Sequence, residues 1–340
     1  MKLATFIDPS QHTIIGAVDT ASHTVLALQA AHRQHKGSDS PHLVDMLALM
    51  DGGEAALALA REIESLGAGA GPHRHALASV KLLAPVPVPR QIRDFNNAED
   101  HMRNAPAGMQ MLVARMKGQP VPARSEVQVS IPDVNFAQPI FYISNRFNVV
   151  GTEATVEWPS YSEWFDYEGE FGFFIGRGGK NISKADAPKH IFGYTVFNDF
   201  SARDAQYIEM QTGLGPSKGK DFDTGNAMGP WLVTADEVPD PQALTMIARV
   251  NGQEWSRGNS SEMQHSFAAI ISHASDSETF YAGEVIGSGT VGGGCGNELG
   301  RFLKHGDVME LEVLGLGVLS NTIVAPHVLQ VPTLPIHILD

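Results

Sequence analysis

The sequence predicts a mixed, β-rich α+β protein, and three observations carry that expectation. Short apolar pieces punctuated by Gly and Pro dominate from Gln91 onward, helical spacing is sparse, and strands do not alternate with helices as a parallel sheet would require. The N-terminal part comes first. "MKLATFID" and "HTIIGAVDT" read as strands and "GGEAALALAREIESL" as a helix, so residues 1–85 form a small unit of strands plus a helix. "APVPVPR", Ala84 to Arg90, follows with prolines at alternate positions. Proline fixes φ and removes a ladder donor, which suits a linker or an extended lead-in to a second unit, residues 86–340. In that unit "PIFYIS", "ATVEW", "FGFFIG", "GYTVFND", "WLVTAD", "ALTMIARVNG" and "DVMELEVLGLGVLSNTI" read as strands. "SFAAIISHAS", with apolar residues at helical spacing, is its clearest helix.

The 340 residues suffice for a substantial core, and 43% hydrophobic with 18% charged residues describes an ordinary soluble globular protein. No apolar run of about 18 residues is present, so no membrane span is expected. The start lacks the apolar stretch of a secretory signal. A net charge of −14 argues against nucleic acid and anionic membrane surfaces as partners. One cysteine, Cys295, excludes an intramolecular disulfide and fits a reducing, cytoplasmic setting.

Chemistry enters with "DYEGEFGFFIGRGG", Asp166 to Gly179. Residues i and i+2 of a strand share a face, so Glu168 and Glu170 are pressed side by side at the start of an element that dives into a core. Asp199 ends another apolar strand in "GYTVFNDFSARDAQ". Three carboxylates at strand ends make an oxygen-ligand set for a hard cation such as Mg²⁺. Ordinary ion pairs at a sheet rim are the competing reading. A cation would relieve the repulsion that otherwise drives one carboxyl pKa upward.

Three segments, "YEGEFGFFIGRGGKNI", "HIFGYTVFNDFSARDAQ" and "KGKDFDTGNAMGPWLVTADE", resemble the fumarylacetoacetate hydrolase family in sequence and in order, across residues 86–335. The resemblance implies a β-roll or sandwich catalytic unit and a homodimer. It also implies a divalent cation, Mg²⁺ with Mn²⁺ or Ca²⁺ as substitutes, held by Glu168, Glu170 and Asp199. "RDFNNAEDHMRNA" resembles the family segment in which an Asp ligand precedes the catalytic His by seven positions, here Asp94 and His101. Shorter members place a Glu partner three residues after that His, where this chain has Asn104. Eukaryotic-type members draw it from downstream, and "CGNELGRF" offers Glu298. Lys220 matches the lysine beside the metal. Arg203 and Gln206 match substrate-contacting positions, Thr290 would line the pocket from a Gly-rich loop, and Thr224 would contribute oxygen atoms. A lid is expected within residues 95–125.

The implied reaction is metal-dependent hydrolysis of a carbon–carbon bond in a 1,3-diketone or acylpyruvate-type keto acid, of the kind met in aromatic catabolism, with water activated by His101. Alternatives on the same site are an oxaloacetate-type decarboxylase, a 2-hydroxydienoate hydratase or isomerase, and an inactive binding module. The literal G-x-G-x-x-G in "GSGTVGGGCGNELG" fails as a dinucleotide fingerprint, because further glycines follow where a helix should open. Cys295 reads as a packing residue, and His73 with His75, lacking a visible third ligand, as a solvated turn.

Overall fold

The computed structural model describes residues 1–67, 69 and 71–325. The last residues of the expected catalytic unit, 326–340, lie outside the described residues. A twelve-stranded sheet forms the backbone of the fold. Across it run, in order, Arg74–Ala76, Thr24–Ala27, Thr13–Asp19, Lys2–Ile7, Asn226–Thr234, Ile191–Asp199, Gly169–Ile175, Val285–Gly287, Ile92–Asn96 and Ile140–Ser144, while Lys81–Leu82 pairs with Lys2–Ile7 and Val149–Val150 with Asn226–Thr234 off that path. A second sheet orders Gln253–Asn259, Thr245–Val250, Val308–Val313, Gly317–Val324 and Thr155–Glu157. Both are chiefly antiparallel, as hairpin-rich punctuation requires.

Period-two alternation decides where each side chain goes. Phe171 and Phe173 point toward the second sheet and join a core with Met246, Ala248, Leu311 and Leu319. Phe267, on the helix Phe267–Ala274, closes over them, with ring centroids 4.8 Å from Phe173 and 5.4 Å from Phe171. Such tilted aromatic pairs contribute about 0.5–1.5 kcal/mol each beyond their buried area. Phe174, one residue on, faces the opposite way with Phe197 and Leu232, into a second core with Leu3, Ile15, Leu49 and Ile63.

The N-terminal strands therefore extend the large sheet itself, since Lys2 and Leu3 pair with Val233 and Leu232. The proline-rich stretch is partly interior: Ala84 and Val86 are buried, and the Thr5 hydroxyl donates to the Pro85 carbonyl at 2.6 Å. The strands expected in both parts form within a few residues of the quoted stretches, as do the helices Gly53–Leu66 and Phe267–Ala274. His75 lies in the short strand Arg74–Ala76, with His73 just before it. Helices Leu28–Lys36, Glu99–Met116 and Arg203–Met210 were not expected, and Glu99–Met116 falls where the sequence suggested a lid. No helix among the described residues is long and apolar enough to cross a membrane.

Candidate active site

Strand parity gathers the acids. Asp94, Glu170 and Asp199 lie on three strands of the large sheet, each two or four positions from a residue of the second core: Ile92, Phe174 and Phe197. They therefore share the face that carries the N-terminal unit. Register brings Glu170 opposite Phe197, so Asp199 lies just beyond it on the neighbouring strand. Val285–Gly287 runs between the strands of Glu170 and Asp94, with Gly287 opposite both Gly172 and Asp94. A Cβ at Gly287 would sit 2.1 Å from Asp94 Oδ1, so only glycine leaves Asp94 room to lean across.

The acids are buried and unequally partnered. Glu168 accepts from Arg203 Nη1 at 2.7 Å on one oxygen and from Lys220 Nζ at 2.6 Å on the other. Burial alone would raise its carboxyl, but Lys220, Arg203 and His101 outweigh burial and hold it well below the usual range. Asp199 accepts from Lys220 Nζ at 2.5 Å and from the Tyr142 hydroxyl. Burial nevertheless pushes its carboxyl up to about 7, with Asp94 and Glu168 adding to the rise against Lys220. Glu170 accepts from the Gly289 amide and the Thr290 hydroxyl, each at 3.0 Å. Burial, then Asp94, raises it well above the ordinary value, and burial likewise raises Asp94.

A second group faces the same cleft. His101 lies in the first turn of Glu99–Met116, and its Nδ1 is 2.7 Å from Glu298 Oε1. Glu298 Oε2 accepts from the Gly293 amide at 2.9 Å. Burial pulls the imidazole pKa down, but Glu298 more than compensates, leaving it raised. Gly108, two turns along the helix, brings the two residues together: a Cβ there would meet the Asn297 carbonyl oxygen at 2.3 Å. Asn104 plays no part in this pair; its side-chain oxygen and its carbonyl accept from Arg124.

Two adjoining lobes make the cleft. One, of about 410 Å³, is lined by Asp94, Tyr142, Glu168, Glu170, Lys220 and Thr290. The other, of about 370 Å³, is lined by Arg203, Tyr207, Met109 and Asn297, and both lobes share His101, Glu168 and Gln206. Gln206 Oε1 accepts from Arg203 Nη1 at 2.9 Å. Thr224 is not brought to the cleft. It has a φ of 67°, and its hydroxyl accepts from the Glu157 amide at 2.8 Å beside the second sheet.

Sequence reasoning missed Asp166, Asn297 and Tyr142. Asp166 is fully buried and accepts from Arg203 Nε and from the amides of Gly296 and Asn297, each at 2.8 Å. It therefore ties Arg203 to the loop that carries Glu298. Its signal was present: it precedes Glu168 by two positions in the same motif. Tyr142 sits in an aromatic strand with nothing local to set it apart.

The donor set fits a hard divalent cation. Asp94 Oδ1 and Asp199 Oδ1 are buried without a hydrogen-bond partner, a costly condition that a cation relieves. His101, Cys295 and Glu298 also bring ligand-type atoms within 4.8 Å of one another. Chemistry argues against a metal there: burial raises the Cys295 thiol well above its usual value, and the Cys295 thiol and the imidazole both already contact Glu298.

Comparison with known proteins gives concordant results. The sequence model for the fumarylacetoacetate (FAA) hydrolase C-terminal domain matches residues 91–324. Oxaloacetate tautomerase YisK of Bacillus subtilis (strain 168) is 32% identical over 256 residues, covering 74% of this chain and 76% of that protein. Oxaloacetate tautomerase fahd2, mitochondrial, of Xenopus laevis is 39% identical over 188 residues, 55% of this chain. That match spans 58% of the Xenopus protein's own length. The solved fumarylacetoacetate hydrolase EaFAH from the psychrophile Exiguobacterium antarcticum superposes with a TM-score of 0.69 at 24% identity. It covers 96% of this chain and 100% of its own, and shows the fold.

Proposed function

The chain belongs to the fumarylacetoacetate hydrolase family, and from that premise we propose that it is a metal-dependent enzyme moving a proton at the carbon beside the carbonyl of a short 2-keto acid, an oxaloacetate-type tautomerase. The observation that carries the reading is His101, held at 2.7 Å by Glu298, in one cleft with the buried acids and Lys220. The tautomerase names of both sequence relatives support it.

Glu168, Glu170, Asp199 and Asp94 would hold the cation, Mg²⁺ with Mn²⁺ or Ca²⁺ as substitutes. When bound it supplies Lewis acidity that makes the proton beside the carbonyl easier to remove. The chain's own groups do the rest. With Nδ1 engaged by Glu298, His101 Nε2 is the nitrogen left to take the proton from carbon and return it. Glu298 fixes the ring and favours its protonated form. Arg203 and Lys220 offer donors to a substrate carboxylate or enolate oxygen, while Gln206 and Thr290 orient it. A homodimer and a cytoplasmic setting complete the proposal.

A second reading, hydrolysis of a carbon–carbon bond in an acylpyruvate, is favoured by the same His101–Glu298 contact, because such a pair can equally activate water. Ultraviolet absorbance separates the two. Enol-oxaloacetate should ketonise faster with enzyme and Mg²⁺ than in buffer, without loss of carbon dioxide. His101→Ala should slow it by about 10²–10⁴-fold while retaining Mg²⁺ binding. Cleavage of acylpyruvates with no acceleration of ketonisation selects the hydrolase instead. Release of carbon dioxide selects a decarboxylase, and no turnover with no Mg²⁺ binding sinks the metal enzyme altogether.

A further inference from the structure

An aromatic cavity outside the keto-acid cleft has no part in this chemistry. It encloses about 630 Å³ and is walled by Trp158, Trp164, Trp255 and Phe302, with Arg115, Arg301 and Lys304 at its rim. Three of the chain's four tryptophans converge here. Ligand pockets in proteins commonly enclose about 300–1,000 Å³, so the space suits a small molecule.

Its charges run against the protein as a whole. The chain carries −14, yet three exposed cations line this cavity against Glu163 and Asp307. Asp307 is already engaged, accepting from the Lys304 amide and from Asn251 Nδ2, each at 2.8 Å. Arg115, Arg301 and Lys304 have no ion pair among the described residues. The two arginines rest over aromatic rings instead: Arg115 over Trp164 at 5.6 Å and Arg301 over Trp255 at 5.7 Å. Trp164 meets Phe302 edge-on at 5.0 Å. A guanidinium over an indole, with no carboxylate paired to it, has N–H donors to offer an oxyanion.

We propose that this cavity is a second ligand site, separate from the keto-acid cleft, for a planar aromatic molecule bearing an oxyanion. The ring stacks among Trp164, Trp255 and Phe302, and the anion pairs with Arg115 and Arg301. An aromatic carboxylate and a nucleoside monophosphate share that chemistry, so both serve as probes.

The site is tied through the chain to both halves of the catalytic pair. Arg115 lies in the last turn of the helix that carries His101 in its first, about 20 Å away at 1.5 Å per residue. Gly300 to Lys304 continue directly from the turn that carries Glu298.

The test is titration of the full chain with 2-naphthoate and, separately, with adenosine monophosphate, read by tryptophan quenching and by calorimetry. Saturable binding of at least one probe is expected, and which one binds identifies the source of the ligand. Excess Mg²⁺ and oxalate, occupying the keto-acid cleft, should not compete. Arg301→Gln and Trp255→Ala, both changes at the cavity rim or wall, should each weaken binding about tenfold, the scale of one charge-assisted pair or one stacking partner. Because Trp255→Ala also perturbs the fluorescence, calorimetry reads that variant. Three results overturn the proposal: no saturation by either probe at millimolar concentration, competition by oxalate, or affinity unchanged in both variants.

Discussion

Replacing Asp166 by Asn should loosen two parts of the active site at once, because one buried carboxylate holds both. Its Oδ2 accepts from Arg203 Nε and from the Asn297 amide, each at 2.8 Å, and Arg203 Nη2 adds an ion-pair contact at 2.7 Å. Its Oδ1 accepts from the amides of Gly296 and Tyr167, each at 2.8 Å. Every neighbour is a donor, so the group acts as a carboxylate although burial raises its pKa against the pull of Arg203. An Asn amide offers one oxygen. Whichever way it turns, its NH₂ confronts two donors, and each orphaned buried donor costs about 1–3 kcal/mol. Breaking a buried ion pair costs about 3–5 kcal/mol, but Arg203 keeps Glu168 at 2.7 Å, which argues for the lower half of that range. At a urea slope of about 3 kcal/mol/M, the unfolding midpoint should fall by roughly 1 M. Far-UV circular dichroism and tryptophan fluorescence, required to give coincident transitions, measure it. Repeating the change in an Arg203→Met background should cost less, by a coupling of at least about 1 kcal/mol. A midpoint shift below about 0.3 M at unchanged slope, or strict additivity with Arg203→Met, would refute the reasoning.

Three further outcomes follow from the same geometry. Gly108→Ala should drive the helix off the Asn297 carbonyl, which its Cβ would meet at 2.3 Å, part His101 from Glu298, and lower turnover about 10²-fold; wild-type turnover would show that the close approach is dispensable. Gly287→Ala should displace Asp94 and weaken Mg²⁺ binding about 10–100-fold by calorimetry, whereas unchanged affinity would remove Asp94 from the cation site. Cation uptake should release protons near neutral pH, because Asp199 is pushed up to about 7 and Glu170 and Asp94 are raised. Apparent affinity for Mg²⁺ should therefore rise as pH climbs through about 7, as those acids shed the protons that compete with the metal; a binding heat identical in buffers of different ionisation enthalpy would contradict this.

The strands were legible because alternation and Gly/Pro punctuation are local signals. "FGFFIG" and "GYTVFND" could hardly be other than core strands, and parity alone sets Glu168 beside Glu170. The helix of His101 was hidden. Its first six residues are Glu-Asp-His-Met-Arg-Asn, and Pro106 interrupts its interior, so it lacks the apolar stripe that betrays Phe267–Ala274. Continuity of the N-terminal strands with the large sheet was also hidden, since pairing of Leu3 with Leu232 joins residues that no local pattern relates. Thr224 was carried to the site by a motif whose backbone turns away there, at a φ of 67°. Asp166 was overlooked for the opposite reason, lying within the very motif that drew attention to its neighbours.

The crowding of carboxylates makes sense only if charge is counted over the whole cluster. Asp94, Asp166, Glu168, Glu170 and Asp199 are all buried, and the fixed buried cations among them are Lys220 and Arg203. Full ionisation would leave that group three negative charges in excess, before His101 is counted, in surroundings where unpaired charge is heavily penalised. Burial raises the pKa values of Asp94, Glu170 and Asp199, and of Asp166 even against Arg203, so protons can relieve part of that excess. A divalent cation would answer with two charges at once, and the two unpartnered oxygens, Asp94 Oδ1 and Asp199 Oδ1, belong to acids that need one. Glu168 stands apart, because Lys220 and Arg203 grip both its oxygens and keep it ionised whether or not a cation is present. That asymmetry explains why the site needs glycine at 287 as much as it needs its acids. Without side-chain bulk on the intervening strand, Asp94 can cross to Glu170, and a proton or a metal can be shared between strands that are not themselves neighbours.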